Sequence, residues 1–114
     1  MYKTTLVEAD IADGQRVVEE VEKILQVTAS FWIYLEEEDE WNLAIVSPDV
    51  PEKGPFELYT NIAVLLNDLS VDQQKPVQMP LARIMLVSPN SLLYERVKRF
   101  SGLLDMHIYK RWAS

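Results

Sequence analysis

Two short runs rich in β-branched and aromatic residues constrain the fold more than any other part of the sequence. They occupy residues 31–35 and 41–46, and five acidic residues, 36–40, separate them. Side chains of this kind suit a pleated strand, and a short charged link suits the turn of a β-hairpin. The sequence therefore predicts an antiparallel pair of strands joined by a solvated acidic tip.

The length of the hairpin loop decides which side chains share a face of the sheet. A loop of odd length places Phe31 and Ile33 on the same face as Trp41. A loop of even length places Trp32 and Tyr34 on that face instead. We favour the odd loop because it makes one strongly apolar face. Neither choice leaves the opposite face fully polar, so we expect both faces to be covered at least in part.

Apolar residues recur at helical spacing in three segments, which predict three helices. The first spans residues 10–29, with Asp10 or Asp13 as its N-cap. Residues 49–53 are expected to form a turn. The second helix follows over residues 55–70 and has a proline at its first position. Its apolar stripe, expected to face the core, consists of Phe56, Tyr59, Ile62, Ala63, Leu66 and Leu69. The third helix is capped by Asn90 or Ser91 and ends near residue 102.

Two more strands complete the predicted fold. Residues 83–87 form a compact β-rich run, and residues 104–112 alternate in the manner of a strand. The resulting order, α-β-β-α-β-α-β, favours parallel pairing across each βαβ step. We expect an α+β protein with a mixed four-stranded sheet and three helices, built as a single domain over residues 1–114.

Composition and charge limit the classes of function. The chain has no cysteine and a net charge of −7, and neither a leader-like N-terminus nor a run of about 20 apolar residues is present. These features favour a cytoplasmic protein that does not enter membranes. The acidic charge argues against binding to nucleic acid, which needs many cations. No motif predicts a cofactor or a metal site, because the acidic run 36–40 lacks the spacing of a calcium loop.

A near-repeat marks the ends of two predicted strands. Ser47-Pro48 follows the second strand and Ser88-Pro89 follows the third, each just before a helix. Strand ends that precede helices are common ligand sites in parallel sheets. Ser47 and Ser88, together with Asn90, could frame a pocket for an anion or a nucleotide. A simpler interpretation, which we favour, is that each Ser-Pro pair stops a strand and turns the chain.

The tail of the chain contains the remaining polar candidates. His107 is the only histidine, and Asp105 lies two residues before it on the predicted strand. This pair could serve a hydrolase, but no activated nucleophile accompanies it. A basic group could hold an acidic partner, including the acidic helix of a second copy; its members are Arg96, Lys98, Arg99, Lys110 and Arg111.

Three tryptophans are many for 114 residues, and aromatic side chains dominate both cores and interfaces. If helices cover only one face of the sheet, the other carries an aromatic and basic set that a second subunit could cover. This set consists of Trp32, Tyr34, His107, Tyr109 and Arg111. The leading hypothesis is thus a non-enzymatic interaction or regulatory module that forms a homodimer and has a possible further protein partner. The alternatives are a small-ligand binding protein and, third, the hydrolase.

Overall fold

The computed structural model describes residues 8–35 and 37–100. Its elements in chain order are α1 (Glu8–Val21), β1 (Ala29–Leu35), β2 (Glu40–Val46), α2 (Asp49–Lys53), α3 (Pro55–Ser70), a 3-10 turn (Leu81–Arg83), β3 (Ile84–Val87) and α4 (Leu92–Phe100). The protein is α+β, with helices and a small mixed sheet. The predicted fourth strand, 104–112, lies outside the described residues.

Within the described residues the sheet has three strands in the order β1-β2-β3. β1 and β2 pair antiparallel, which confirms the hairpin, and β2 and β3 pair in parallel, which confirms the predicted βαβ step. The central position of β2 explains its composition. Six of its seven residues are buried, and it places Ala44, Ile45 and Val46 where both faces of the sheet are covered.

The favoured odd loop of the hairpin is wrong. Tyr34 pairs with Trp41 and Leu35 with Glu40, so four residues connect the strands. The rings of Tyr34 and Trp41 lie 5.3 Å apart between centroids, in a tilted arrangement that suits aromatic pairs. Asp39 adopts a φ of 49°, which closes the turn, and accepts a hydrogen bond from the Tyr34 hydroxyl. Local pairing and turn geometry therefore fix the register.

Helices cover both faces of the sheet. α1 and α3 pack on the face that carries Trp32, Tyr34, Trp41, Leu43 and Ile45. α4 packs on the opposite face, where Tyr94 and Val97 join a cluster with Phe31, Ile33, Ala44, Val46 and Val87. The chain thus has one apolar cluster on each side of a thin sheet.

The first helix is shorter than predicted. α1 ends at Val21, and the chain continues through a turn at residues 22–24 into an irregular segment. The amide of Gln26 donates to the carboxylate of Asp49 at 3.0 Å, and the amide of Thr28 donates to the Val46 carbonyl at 2.8 Å. These bonds attach the segment to the end of β2, so apolar residues that fit a helical stripe follow a different path.

Three smaller predictions are also wrong. Asp10 and Asp13 lie inside α1 and do not cap it. Residues 49–53, expected as a turn, form the short helix α2. Gly54 separates α2 from α3 with a φ of 86°, a value that favours glycine. α3 itself has the predicted bounds, but its buried residues are Leu58, Ile62, Leu66 and Leu69, and Phe56 faces outward.

Candidate functional site

The end of β2 uses its serine to build a turn. Ser47 is fully buried, and its Oγ accepts a hydrogen bond from the amide of Asp49 at 3.1 Å. Its own amide donates to the Val87 carbonyl at 3.0 Å, which ties the end of β2 to the end of β3. Because Ser47 is fully buried, its hydroxyl shapes the turn and is not exposed to an anion in solvent.

The end of β3 follows the same plan. The Oγ of Ser88 accepts from the amide of Asn90 at 3.2 Å, and the Oγ of Ser91 accepts from the amide of Tyr94 at 3.2 Å. Ser91 is therefore the N-cap of α4. The parallel pairing of β2 and β3 brings Ser47 and Ser88 to adjacent strand ends, as predicted. Their contacts agree with the favoured interpretation that both serines shape turns.

A groove on the described surface lies beside this edge of the sheet. It has a volume of about 730 Å³, and the irregular segment 22–28 forms one wall. Asp49 and Lys53 from α2 form the other. Asp49 is 8% exposed and holds the amide of Gln26. Sequence reasoning missed this groove because its two walls belong to segments far apart in the chain. The only feature near the predicted strand end that pointed to it was Asp49, two residues after Ser47.

The aromatic sheet face proposed as an interface is internal. Trp32 is 2% exposed, packs beneath α1, and lies under the guanidinium of Arg83, whose Cζ is 5.5 Å from the ring centroid. Tyr34 is also buried in this cluster. The helices of the same chain cover this face, so Trp32 and Tyr34 have no free surface for a second subunit. The physical reason for that interface is therefore wrong.

The other predicted site residues lie outside the part of the chain that the structure describes. These residues are Asp105, His107, Tyr109 and Arg111. The suggested contact between Asp105 and His107, and the basic contribution of Arg111, therefore remain predictions.

An uncharged apolar surface lies on α3 instead. Phe56, Val64 and Val71 are 86%, 60% and 69% exposed, respectively. Thr60 and Asn67 lie on the same side of the helix and are also exposed. We define these five residues as the α3 outer face. α3 contains no Lys or Arg, and its only charged residues are Glu57 and Asp68. Sequence reasoning missed this face because it assigned Phe56 to the core.

Comparison with known proteins found no matching family model, no matching curated protein and no matching solved structure. Across residues 8–35 and 37–100, no helix has the length and apolar character needed to cross a membrane. In the same residues, no three Asp, Glu or His side chains come together as metal ligands.

Proposed function

We propose that this protein is a non-enzymatic interaction module that pairs with a second copy of itself through the α3 outer face. The observation that carries the proposal is the 86% exposure of Phe56 at the start of an uncharged helix face. Covering a large aromatic ring that is exposed to water lowers the free energy, so a partner that buries Phe56 is favoured. Single exposed apolar residues are common, but here two of them lie on one helix and a third, Val71, directly follows its last residue.

The spacing of the α3 outer face suits pairing between two helices. Phe56, Thr60, Val64, Asn67 and Val71 follow one another at intervals of four, four, three and four residues. Such a series forms one stripe, about 22 Å long, on a helix. In an antiparallel pair, Phe56 of each copy meets the Val71 end of the other. The smaller side chains of Thr60 and Val64 near the centre allow the two helices to approach closely.

Charge favours a second copy as the occupant. An acidic partner would find no cation on α3, and a basic partner would find no row of carboxylates. Two copies of a chain with a net charge of −7 repel each other, and the electrostatic repulsion is lowest between surfaces that carry no charge. A twofold arrangement also uses the same patch on both subunits, so no second complementary surface is required.

The first test measures subunit mass by native mass spectrometry and sedimentation over a concentration series. We expect a dimer that Phe56→Glu weakens by at least about tenfold, because the charge enters the apolar contact between Phe56 of one copy and the Val71 end of the other. Leu92→Glu is the matched control, since Leu92 is 65% exposed on α4 and the same charge is added there. A wild-type monomer at every concentration would overturn the proposal, as would a dimer indifferent to Phe56→Glu in a variant with unchanged circular dichroism.

The groove beside Asp49 supports a second candidate function, the binding of a small ligand. Its walls supply a buried carboxylate and the amine of Lys53, and Ile24 adds an exposed apolar contact. The same mass spectra test this candidate. A retained small molecule that is lost in Lys53→Ala, but kept in Lys75→Ala, would favour the groove over the α3 outer face. Mass spectra that show subunits with no bound small molecule would count against ligand binding in this groove.

A further inference from the structure

α4 carries two arginines, Arg96 and Arg99, that have no carboxylate partner among the described residues. Both arginines are exposed. Lys98 differs from them because its Nζ lies 3.5 Å from Glu95 and 4.7 Å from the centroid of the Tyr94 ring. Arg16 and Arg83 are also paired with carboxylates elsewhere in the chain. The two guanidinium groups of α4 therefore stand apart from the other described arginines.

The two arginines share a face with an exposed leucine. Leu92, Arg96 and Arg99 follow one another at intervals of four and three residues, which places them on one side of the helix. The other side is fixed to the sheet through Tyr94 and Val97. Leu92 is 65% exposed, and a shallow groove of about 300 Å³ runs between these three residues and Glu95. We define Leu92, Arg96 and Arg99 as the α4 outer face.

We propose that the α4 outer face binds an acidic helical segment of a partner protein. Guanidinium groups one helical turn apart match carboxylates spaced three or four residues apart on a facing helix. Leu92 supplies an apolar contact at the end of this row. This surface is distinct from the α3 outer face, so one subunit can bind a second copy and the acidic partner at the same time.

The charge distribution explains why the partner would bind here and in one orientation. Residues 1–75 contain sixteen acidic and five basic side chains, whereas residues 76–114 contain two acidic and six basic ones. An acidic helix is repelled by most of the molecule and attracted by α4, which steers its approach. Nucleic acid fits less well, because it needs several phosphate contacts and this face offers only two unpaired guanidinium groups.

The test uses the full chain and a fluorescein-labelled synthetic helix in which Glu pairs recur at i and i+4 beside Leu. Fluorescence anisotropy measures the affinity, and amide chemical shifts locate the contact. We expect the double variant Arg96→Gln, Arg99→Gln to bind about tenfold more weakly. The matched control is Lys23→Gln, Lys75→Gln, which removes the same charge from two exposed lysines on other parts of the chain. It should change the affinity by at most about twofold.

Three outcomes would overturn the proposal. These are the absence of peptide binding at millimolar concentration, equal weakening by the two double variants, and tighter binding of a single-stranded oligonucleotide than of the peptide. Phe56→Glu separates this inference from the proposed dimer. That variant should leave peptide binding unchanged whether or not the α3 outer face forms a dimer.

Discussion

At the level of single residues, α1 approaches the sheet closely where Gly14 faces Trp32. A Cβ added at Gly14 would lie 2.6 Å from Cζ2 of the buried indole ring. Alanine is favoured over glycine in a helix by about 1 kcal/mol, but overpacking a core costs about 1–3 kcal/mol. We expect Gly14→Ala to lower the free energy of unfolding, measured by urea titration, by about 1 kcal/mol despite its better helix propensity.

Two further variants separate the steric effect from the helix effect. Ala12→Gly changes an exposed position of α1 and should show only the propensity difference of about 1 kcal/mol. Gly14→Ala should cost less in a Trp32→Phe background than in the wild type, because the smaller ring leaves room for the methyl group. A Gly14→Ala protein more stable than the wild type would mean that the indole moves without cost.

At the level of elements, an ion pair joins α1 to the loop that follows α3. Arg16 Nη2 lies 2.8 Å from Asp72 Oδ2, and Arg16 Nη1 donates to the Lys75 carbonyl at 3.2 Å. The amides of Gln74 and Lys75 donate to the other oxygen of Asp72. These two amides, and then the guanidinium, hold the pKa of Asp72 below its ordinary value of 3.8.

A lowered pKa in the folded state predicts a definite pH dependence. The stabilisation from Asp72 is fully present above the ordinary pKa of an aspartate and disappears as the pH falls through the lower pKa of the folded state. Asp72→Asn should therefore melt at a lower temperature than the wild type at neutral pH, and the gap should close below the pH of that ordinary value. The exposed Asp68, changed to Asn, serves as the control in melting curves from neutral to acid pH. A gap that persists at the lowest pH would contradict this account.

Periodicity in the sequence predicts most elements of this fold, and its errors have identifiable causes. The hairpin, α3, β3 and α4 are confirmed with boundaries close to those predicted. The loop parity is wrong because both faces of the hairpin are apolar, so hydrophobicity alone cannot choose between them. Phe56 is misplaced because the buried stripe of α3 begins at Leu58, two residues later. In both cases several apolar residues compete for the same core, and three-dimensional packing decides among them.

At the level of the whole molecule, the sequence predicts much less of the candidate site. It identifies the Ser-Pro strand ends, and the structure shows that their hydroxyl groups are engaged in turns. It cannot locate the groove beside Asp49, which forms only when residues 22–28 meet α2. It also cannot separate a core tryptophan from an interface tryptophan, because both are buried in their final state. Surfaces are harder to predict than elements because exposure depends on every neighbour.

The two proposed surfaces predict opposite responses to salt. Two copies that join through uncharged α3 faces bring together chains with a net charge of −7 each, so repulsion opposes the dimer. Raising the salt concentration from low values to about 0.5 M screens this repulsion and should strengthen the dimer by a few-fold, measured by sedimentation. The same change should weaken the acidic peptide on Arg96 and Arg99, because salt screens attraction equally well. A dimer that weakens in salt would mean that ion pairs hold the subunits together, and the α3 outer face has no charged residue to provide them.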